Sequence, residues 1–284
     1  MRITPGDTAL ITGASRGIGR HIAAALAGRG VNLVLAARTA ERLNEVAAEI
    51  GSRSHVQVTA LPVDLNNREQ TRSLIARAEA TAGPIDLLVN NAGVEATHRF
   101  EQRGFDDIAA FTDVNLLAPM LLTRAVLPGM IERGRGHIVN MASIAGLLPS
   151  AYEEPYNATK FGLIGFTRSL RLTAQDRGWK VSASAICPGF TEGAGMYEDM
   201  RAEFGIRAPA TMGSLPVDRV TDAVLRAVEH DLAETLVMQG APRLAVTAAA
   251  ASPRLFERIA RRLDLAAPFR LMADKRNPAP TAGS

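Results

Sequence analysis

Cysteine is almost absent. Cys187 is the only one in 284 residues, so no internal disulfide can form, which fits a reducing cytoplasm. Neither cysteine chemistry nor a metal site is expected. Long apolar runs are missing as well. No stretch approaches the roughly 20 residues of a membrane span, and Arg2, Asp7 and Arg16 bracket only a short apolar segment near the start, too short for a signal peptide. A strong excess of one charge is the third absence, since the formal net charge is only +3. Even this is unevenly placed: from Ala241 to Ser284 eight Lys/Arg face three acids, and the rest of the chain is slightly acidic. A nucleic-acid-binding domain carries its basic excess on the body of the fold, so no nucleic-acid partner is expected. What remains, 47% hydrophobic and 21% charged residues, suits one large soluble α/β domain better than two small ones.

The first unit present reads strand, glycine-rich turn, helix. Thr8-Ala9-Leu10-Ile11 is a short apolar run, Thr12 to Gly19 reads TGASRGIG, and His21 to Leu26 continues as an alanine-rich helix. Glycines in such a turn let the backbone approach a phosphate. The helix that follows aims its N-terminal amides and positive dipole end at a pyrophosphate. The spacing Gly13-x-x-x-Gly17-x-Gly19, with Ser15, Arg16 and Ile18 between, differs from the commoner G-x-G-x-x-G. The second strand, Val31 to Ala37, is almost wholly apolar, as a parallel strand covered on both faces should be. Its end lacks the carboxylate that would hold an adenosine ribose 2′-hydroxyl and reads Ala36-Ala37-Arg38-Thr39 instead. A guanidinium suits a 2′-phosphate, and Arg16 is placed to reach the same group. NADP(H) is therefore expected over NAD(H).

Alternation continues with a helix over Leu43 to Ile50, a strand over Val56 to Pro62, a helix over Glu69 to Ala80 and a strand over Leu87 to Asn90. This is the pattern of a doubly wound parallel sheet, an α/β Rossmann-type fold flanked by helices. Asp64-Leu65 follows the third strand and Asn90-Asn91-Ala92-Gly93 the fourth, both at the carboxyl edge where such sheets bind ligands. A long helix from Asn115 to Ile131 leads to a strand, His137 to Met141, that runs into Ala142-Ser143. Tyr156 and Lys160 lie four residues apart, on one face of a helix. A phenol near a cation can lose its proton more easily than its ordinary pKa of roughly 10 allows, which points to proton chemistry.

In this order and spacing the chain, from about Thr4 to Gln239, resembles the short-chain dehydrogenase/reductase family. The resemblance is carried by Thr12 to Gly19, Asp64, Asn90 to Gly93, Asn115, Ser143, Tyr156 with Lys160, and Pro188-Gly189. It implies that Asn115, Ser143, Tyr156 and Lys160 are a catalytic tetrad, with Asn115 anchoring a water that links the lysine to solvent. It also implies that Asp64 contacts adenine and that Asn91, Ala92 and Gly93 lie beside the adenosine ribose. Ser143 would hold the substrate oxygen, Tyr156 would exchange its proton, and Lys160 would lower the phenol pKa while holding the nicotinamide ribose. The expected activity is NADP-dependent interconversion of a carbonyl and a secondary alcohol on a small molecule. A dinucleotide-binding protein without turnover is the alternative. A sugar-nucleotide epimerase is disfavoured by the glycine spacing and the lack of a sizeable C-terminal substrate domain.

One departure concerns the threonine that the family places five positions after the proline of its Pro-Gly turn. Gly193 stands there, and Thr191 is the candidate replacement. Phe190 to Ser214 shows no clear strand and resembles the family's substrate lid, and its Met196, Tyr197, Met200, Phe204 and Met212 suit an apolar substrate. The catalytic domain is thus expected over 1–240, with a helix over Val217 to His230 and a last strand over Thr235 to Gln239. A basic extension follows over 241–284. Leu255, Phe256, Ile259, Ala260 and Leu263 recur there at helical spacing opposite Arg254, Arg258, Arg261 and Arg262. This predicts a surface-seeking helix outside the catalytic core. Its cover is left open between the same subunit, a homo-oligomer interface and peripheral contact with an anionic membrane. Asn277 to Ser284, rich in Pro, Ala, Gly and Ser, reads as disordered.

Overall fold

The computed structural model describes residues 1–208 and 212–276. The segment 209–211 of the expected lid and the expected disordered end, 277–284, lie outside the described residues.

The chain alternates as β1 (Thr8–Thr12), α1 (Gly17–Ala27), β2 (Asn32–Ala37), α2 (Ala40–Arg53), β3 (Val58–Pro62), α3 (Arg68–Ala82) and β4 (Leu87–Asn90). It continues with α4 (Phe105–Thr112), α5 (Ala118–Glu132), β5 (Gly136–Met141), α6 (Glu154–Asp176) and β6 (Val181–Pro188). The last part holds β7 (Phe190–Glu192), α7 (Met196–Phe204), β8 (Ser214–Pro216), α8 (Val217–Glu229), β9 (Glu234–Val237), α9 (Pro242–Ala251), α10 (Pro253–Arg262) and α11 (Ala267–Arg276). Seven strands form one parallel sheet in the order β3-β2-β1-β4-β5-β6-β9, the doubly wound architecture expected. Leu10 of β1 stands opposite Val34 on one side and Leu88 on the other. All five residues of β1 are buried, as its central place requires, whereas β3 at the edge is only partly covered and tolerates Pro62.

One core lies between the sheet and α1, α2 and α8, around Ile22, Leu26, Leu35 and Val224. The other packs α3 and α5 on the opposite face, around Leu10, Leu74, Leu88 and Leu122. The N-terminus of α3 is fixed by Asn67, whose side chain accepts from the amides of Glu69 and Gln70.

Three local expectations change. Helix begins at Phe105, not at Asn115. Asn115 sits in a π-helical turn, Asp113–Leu117, joining α4 to α5, and such a widened turn is a common device for re-aiming a side chain. The helical stretch Phe105–Glu132 is also long and apolar enough, by length and composition, to cross a membrane, against the expectation that no such stretch exists. Ala118, Leu122, Val126 and Met130 of its second half are buried in the core, so its apolar content serves packing. Finally, the segment read as lacking a strand carries two short ones, β7 and β8, paired in parallel with Thr191 opposite Leu215.

Candidate active site

The sheet order reverses between β1 and β4, and a crevice opens there at the carboxyl ends of the strands, the usual ligand site of such folds. A chamber of about 1610 Å³ runs from the glycine loop across this edge to Tyr156 and on to the C-terminal helices. It exceeds the roughly 300–1,000 Å³ of an ordinary small-molecule site, leaving room for a dinucleotide and a second molecule.

At one end the loop between β1 and α1 presents Gly13, Ser15, Arg16, Gly17 and Ile18 to the chamber. Gly13 has φ +67, and a Cβ there would stand 2.8 Å from the Cα of Ala92. Gly19 does not line the chamber. Its role is close packing, since an added Cβ would come within 2.5 Å of Asn91 Nδ2 and of the Gly13 carbonyl. Asn91 is the clasp: its side-chain amide donates to the carbonyls of Thr12 (2.9 Å) and Gly13 (3.3 Å). The Thr12 hydroxyl in turn accepts from the amides of Asn91 and Ala92, both at 3.0 Å. Two loops far apart in sequence thus form one rigid floor.

Arg38 at the end of β2 lines the same end, beside Asp64, Leu65 and Arg42. Arg42 was not anticipated, although it stands four residues after Arg38 on the first turn of α2. Among the described residues neither arginine makes an ion pair. Arg16 does, holding Asp199 of α7 at 2.6 Å, so the glycine loop is tied to α7.

At the chemical end, β5 delivers Ser143 and the first turns of α6 deliver Tyr156 and Lys160. Ser143 caps a short 3-10 turn, its hydroxyl accepting from the amide of Ala145 at 3.1 Å. That turn lies flat on α6, because a Cβ on Gly146 would be 2.7 Å from the backbone of Lys160. The Ser143 hydroxyl donates to the Pro188 carbonyl at 3.5 Å and stands beside the Tyr156 phenol. The Lys160 ammonium, 4% exposed, lies 5.5 Å from the Tyr156 ring centroid and donates to the Met141 carbonyl at 2.7 Å. Asn115 is close by. Its amide group donates to the Val94 carbonyl (2.9 Å) and Thr159 (3.3 Å), and its oxygen accepts from the Val94 amide at 2.8 Å. A Cβ on Gly93 would meet Asn115 Oδ1 at 3.3 Å and Lys160 Nζ at 3.8 Å, so only glycine keeps the space between them open.

The electrostatics differ from the simple expectation that Lys160 lowers the phenol pKa. Burial pushes the Tyr156 phenol above its ordinary value, and the neighbouring Ser143 hydroxyl opposes that only in part. Burial also pulls Lys160 down to about 8. The Lys160 ammonium is turned to the Met141 carbonyl and stands 5.5 Å from the phenol ring centroid, and burial is the largest influence on the phenol. Sequence reasoning also missed a second polar cluster. Glu153, one turn before Tyr156, is buried, and burial with the neighbouring Glu95 raises it to about 8. Thr97 donates to Glu95 at 2.9 Å, and Ser150 donates to Glu153. Both carboxyls border the chamber.

Pro188, Gly189 and Thr191 line the chamber beyond Ser143, whereas Gly193 does not. Thr191 is 4% exposed and donates to the Gly189 carbonyl at 3.3 Å. The C-terminal extension does not stand apart from this site. Phe269 and Met272 of α11 pack with Tyr197, Met200 and Phe204 of α7 in one apolar cluster, secured by Arg99 to Asp274 at 2.6 Å and by Lys275 to the Phe204 carbonyl at 3.1 Å. The extension was separable on paper because its pattern is amphipathic. In the fold α11 packs its apolar residues on α7, while the apolar face of α10 stays half-exposed.

Known proteins share this architecture. The family profile of the short chain dehydrogenases matches residues 7–204. Ketoacyl reductase HetN of Nostoc sp. is 38% identical over 243 residues, covering 84% of this chain and 81% of that protein. A metagenomic short-chain oxidoreductase solved in complex with NADP is 33% identical, with a TM-score of 0.69, covering 82% of this chain and 97% of the other. A short-chain dehydrogenase/reductase from Burkholderia phymatum, solved with NAD, is 27% identical with a TM-score of 0.74, covering 83% and 90%. The chain belongs to the short-chain dehydrogenase/reductase family of oxidoreductases.

Proposed function

We propose that this protein is an NADP(H)-dependent oxidoreductase that interconverts a carbonyl and a secondary alcohol on an apolar small molecule. The observation that carries the reading is the convergence of Ser143, Tyr156 and buried Lys160, its ammonium 5.5 Å from the phenol ring, in the same chamber as the glycine loop. The glycine loop and the N-terminus of α1 would hold the pyrophosphate, Asp64 the adenine, and Lys160 the nicotinamide ribose. When bound, the nicotinamide supplies or accepts the hydride. Ser143 holds the substrate oxygen, and Tyr156 gives that oxygen its proton in reduction and takes it back in oxidation. The phenol is protonated at neutral pH, as an ordinary tyrosine is and as burial reinforces, so the resting site can donate a proton.

NADP is preferred in this reading because Arg38 and Arg42 border the adenosine end without ion-pair partners among the described residues, and no carboxylate ends β2. The known structures include complexes with NADP and with NAD, so the preference rests on these arginines. The name of HetN supports a ketoacyl-type carbonyl substrate. We place the enzyme in the cytoplasm as a homo-oligomer. A screen of ketones and secondary alcohols with NADPH or NADP, followed at the nicotinamide absorbance, tests the activity. Tight dinucleotide binding with no turnover on any of them would leave a non-catalytic binding protein instead.

A further inference from the structure

Helix α10 buries none of its residues. Leu255, Ile259 and Leu263 recur along one face and remain 50%, 45% and 55% exposed, while Arg254, Arg258 and Arg262 keep to the other face and stay clear of the chamber. The apolar side chains are not left facing bulk solvent at random. Leu255, Phe256, Ile259 and Leu263 line the chamber that also holds Ser143 and Tyr156, and Arg261, expected on the far side with the other arginines, borders it too, beside Glu257. Phe269 of α11 carries this wall inward, 6.5 Å from the Phe190 ring, and Phe190 stacks edge-on with Tyr197 of the lid at 5.1 Å.

The shape of this wall restricts what fits it. Leu255 to Leu263 spans roughly 12 Å along the helix axis at about 1.5 Å per residue, one apolar residue per turn. That is a narrow strip leading away from the catalytic residues. An extended chain can follow it, and a compact ring system would leave most of it uncovered. Continuity with the chamber of Tyr156 also favours a substrate over a partner molecule.

We propose that α10 and α11 form the groove for a long unbranched alkyl chain of the substrate, so that these C-terminal helices set chain-length selectivity for long-chain keto or hydroxy amphiphiles. The assignment rests on the reading of the site as a carbonyl/alcohol oxidoreductase. The residues that decide selectivity are Phe256 and Ile259, with Phe269 at the inner end.

The test uses the full-length protein with NADPH and methyl ketones from butanone to hexadecanone. Each methylene laid in the groove should raise kcat/KM by about fourfold, the equivalent of burying one CH₂, until the groove is filled. Ile259→Asp should lower kcat/KM for the long ketones by about fifteenfold, roughly the loss of two such methylene contacts, and leave butanone unchanged. Ile259 is half-exposed, so the variant should fold, which circular dichroism checks, and Arg258→Ala on the opposite face serves as control. A flat chain-length profile, or an equal fall for butanone and hexadecanone in Ile259→Asp, overturns the groove.

A second measurement is independent of turnover. Fluorescence titration with dansylundecanoic acid should show saturable binding that Phe256→Ala and Ile259→Asp both weaken. Binding that neither variant alters overturns the proposal. Dansylundecanoic acid binding with this pattern but no ketone reduction keeps the groove and removes the oxidoreductase reading, while butanone reduction with a flat profile does the reverse. Two further outcomes also overturn it. Dissociation of an oligomer by Ile259→Asp would put a second copy on the face, and loss of sedimentation with phosphatidylglycerol vesicles in that variant would put a membrane there.

Discussion

Replacing Lys160 by methionine should make the protein more stable and inactive at once. Lys160 is buried, and removing its charge from water lowers its pKa from 10.5 to about 8. That displacement corresponds to roughly 3 kcal/mol of folding free energy spent on keeping the ammonium inside at neutral pH. Methionine has similar length and no charge, so the penalty disappears. Against this, the bond from the ammonium to the Met141 carbonyl, 2.7 Å long, is lost, at about 1 kcal/mol. The net gain expected near neutral pH is therefore about 2 kcal/mol.

The sign of the pH dependence follows from the direction of the shift. Below about 8 the lysine is charged in both states, and the wild type bears the whole penalty. Between about 8 and 10.5 the folded lysine is neutral while the unfolded one still binds a proton, so wild-type stability rises with pH. Above 10.5 both are neutral, and the advantage of methionine is gone. Urea denaturation of both proteins across this range is the assay, with NADPH oxidation as the activity readout. A Lys160→Met protein less stable than wild type near neutral pH, or an advantage that grows as pH rises, would refute the desolvation argument.

Tyr156→Phe should bind NADPH as the wild type does, by fluorescence titration, and lose turnover, because only the transferable proton is removed; near-normal kcat would show that another group carries the proton. Since burial holds the phenol above its ordinary 10.0, alcohol oxidation should keep accelerating as pH rises through the alkaline range, and a pH-rate profile that levels off near neutrality would contradict this. Arg38→Ala and Arg42→Ala should each raise the NADPH Kd by about tenfold, near 1.5 kcal/mol for a solvent-screened charge-assisted contact; calorimetric titration in which NADH weakens equally would dismiss the 2′-phosphate assignment. Asn67→Ala should cost about 1 kcal/mol in urea denaturation by uncapping α3, and no loss would mean the cap bonds contribute nothing.

Six of the seven sheet strands were legible because they are short apolar runs separated by helices, whereas β6 (Val181–Pro188), whose apolar residues are interrupted by Ser182 and Ser184, was not named. Boundaries moved by only a few residues, as with α2, which runs Ala40–Arg53. The candidate tetrad was readable as side-chain types at characteristic spacings. The setting of Asn115 was not, because a π turn is a backbone detail with no residue signature. Arg42 was passed over as one arginine among many on a polar helix face. Glu95 and Glu153 are 58 positions apart, and nothing local marks them as neighbours.

The amino-acid sequence alone determined the strand–helix alternation, the dinucleotide-type loop, the chemical types of the site residues and the amphipathic character of the tail. These are local properties, set by periodicity and by what each side chain can do. Tertiary structure decided everything that depends on distance and dielectric. Burial keeps the Tyr156 phenol protonated and pulls Lys160 down to about 8, a matter of how much water the surrounding elements exclude. Packing likewise brings Phe269 and Met272 of α11 against Tyr197, Met200 and Phe204 of α7, some seventy residues earlier in the chain. An apolar stripe states that a helix needs cover, and only the packing of the whole chain selects the cover.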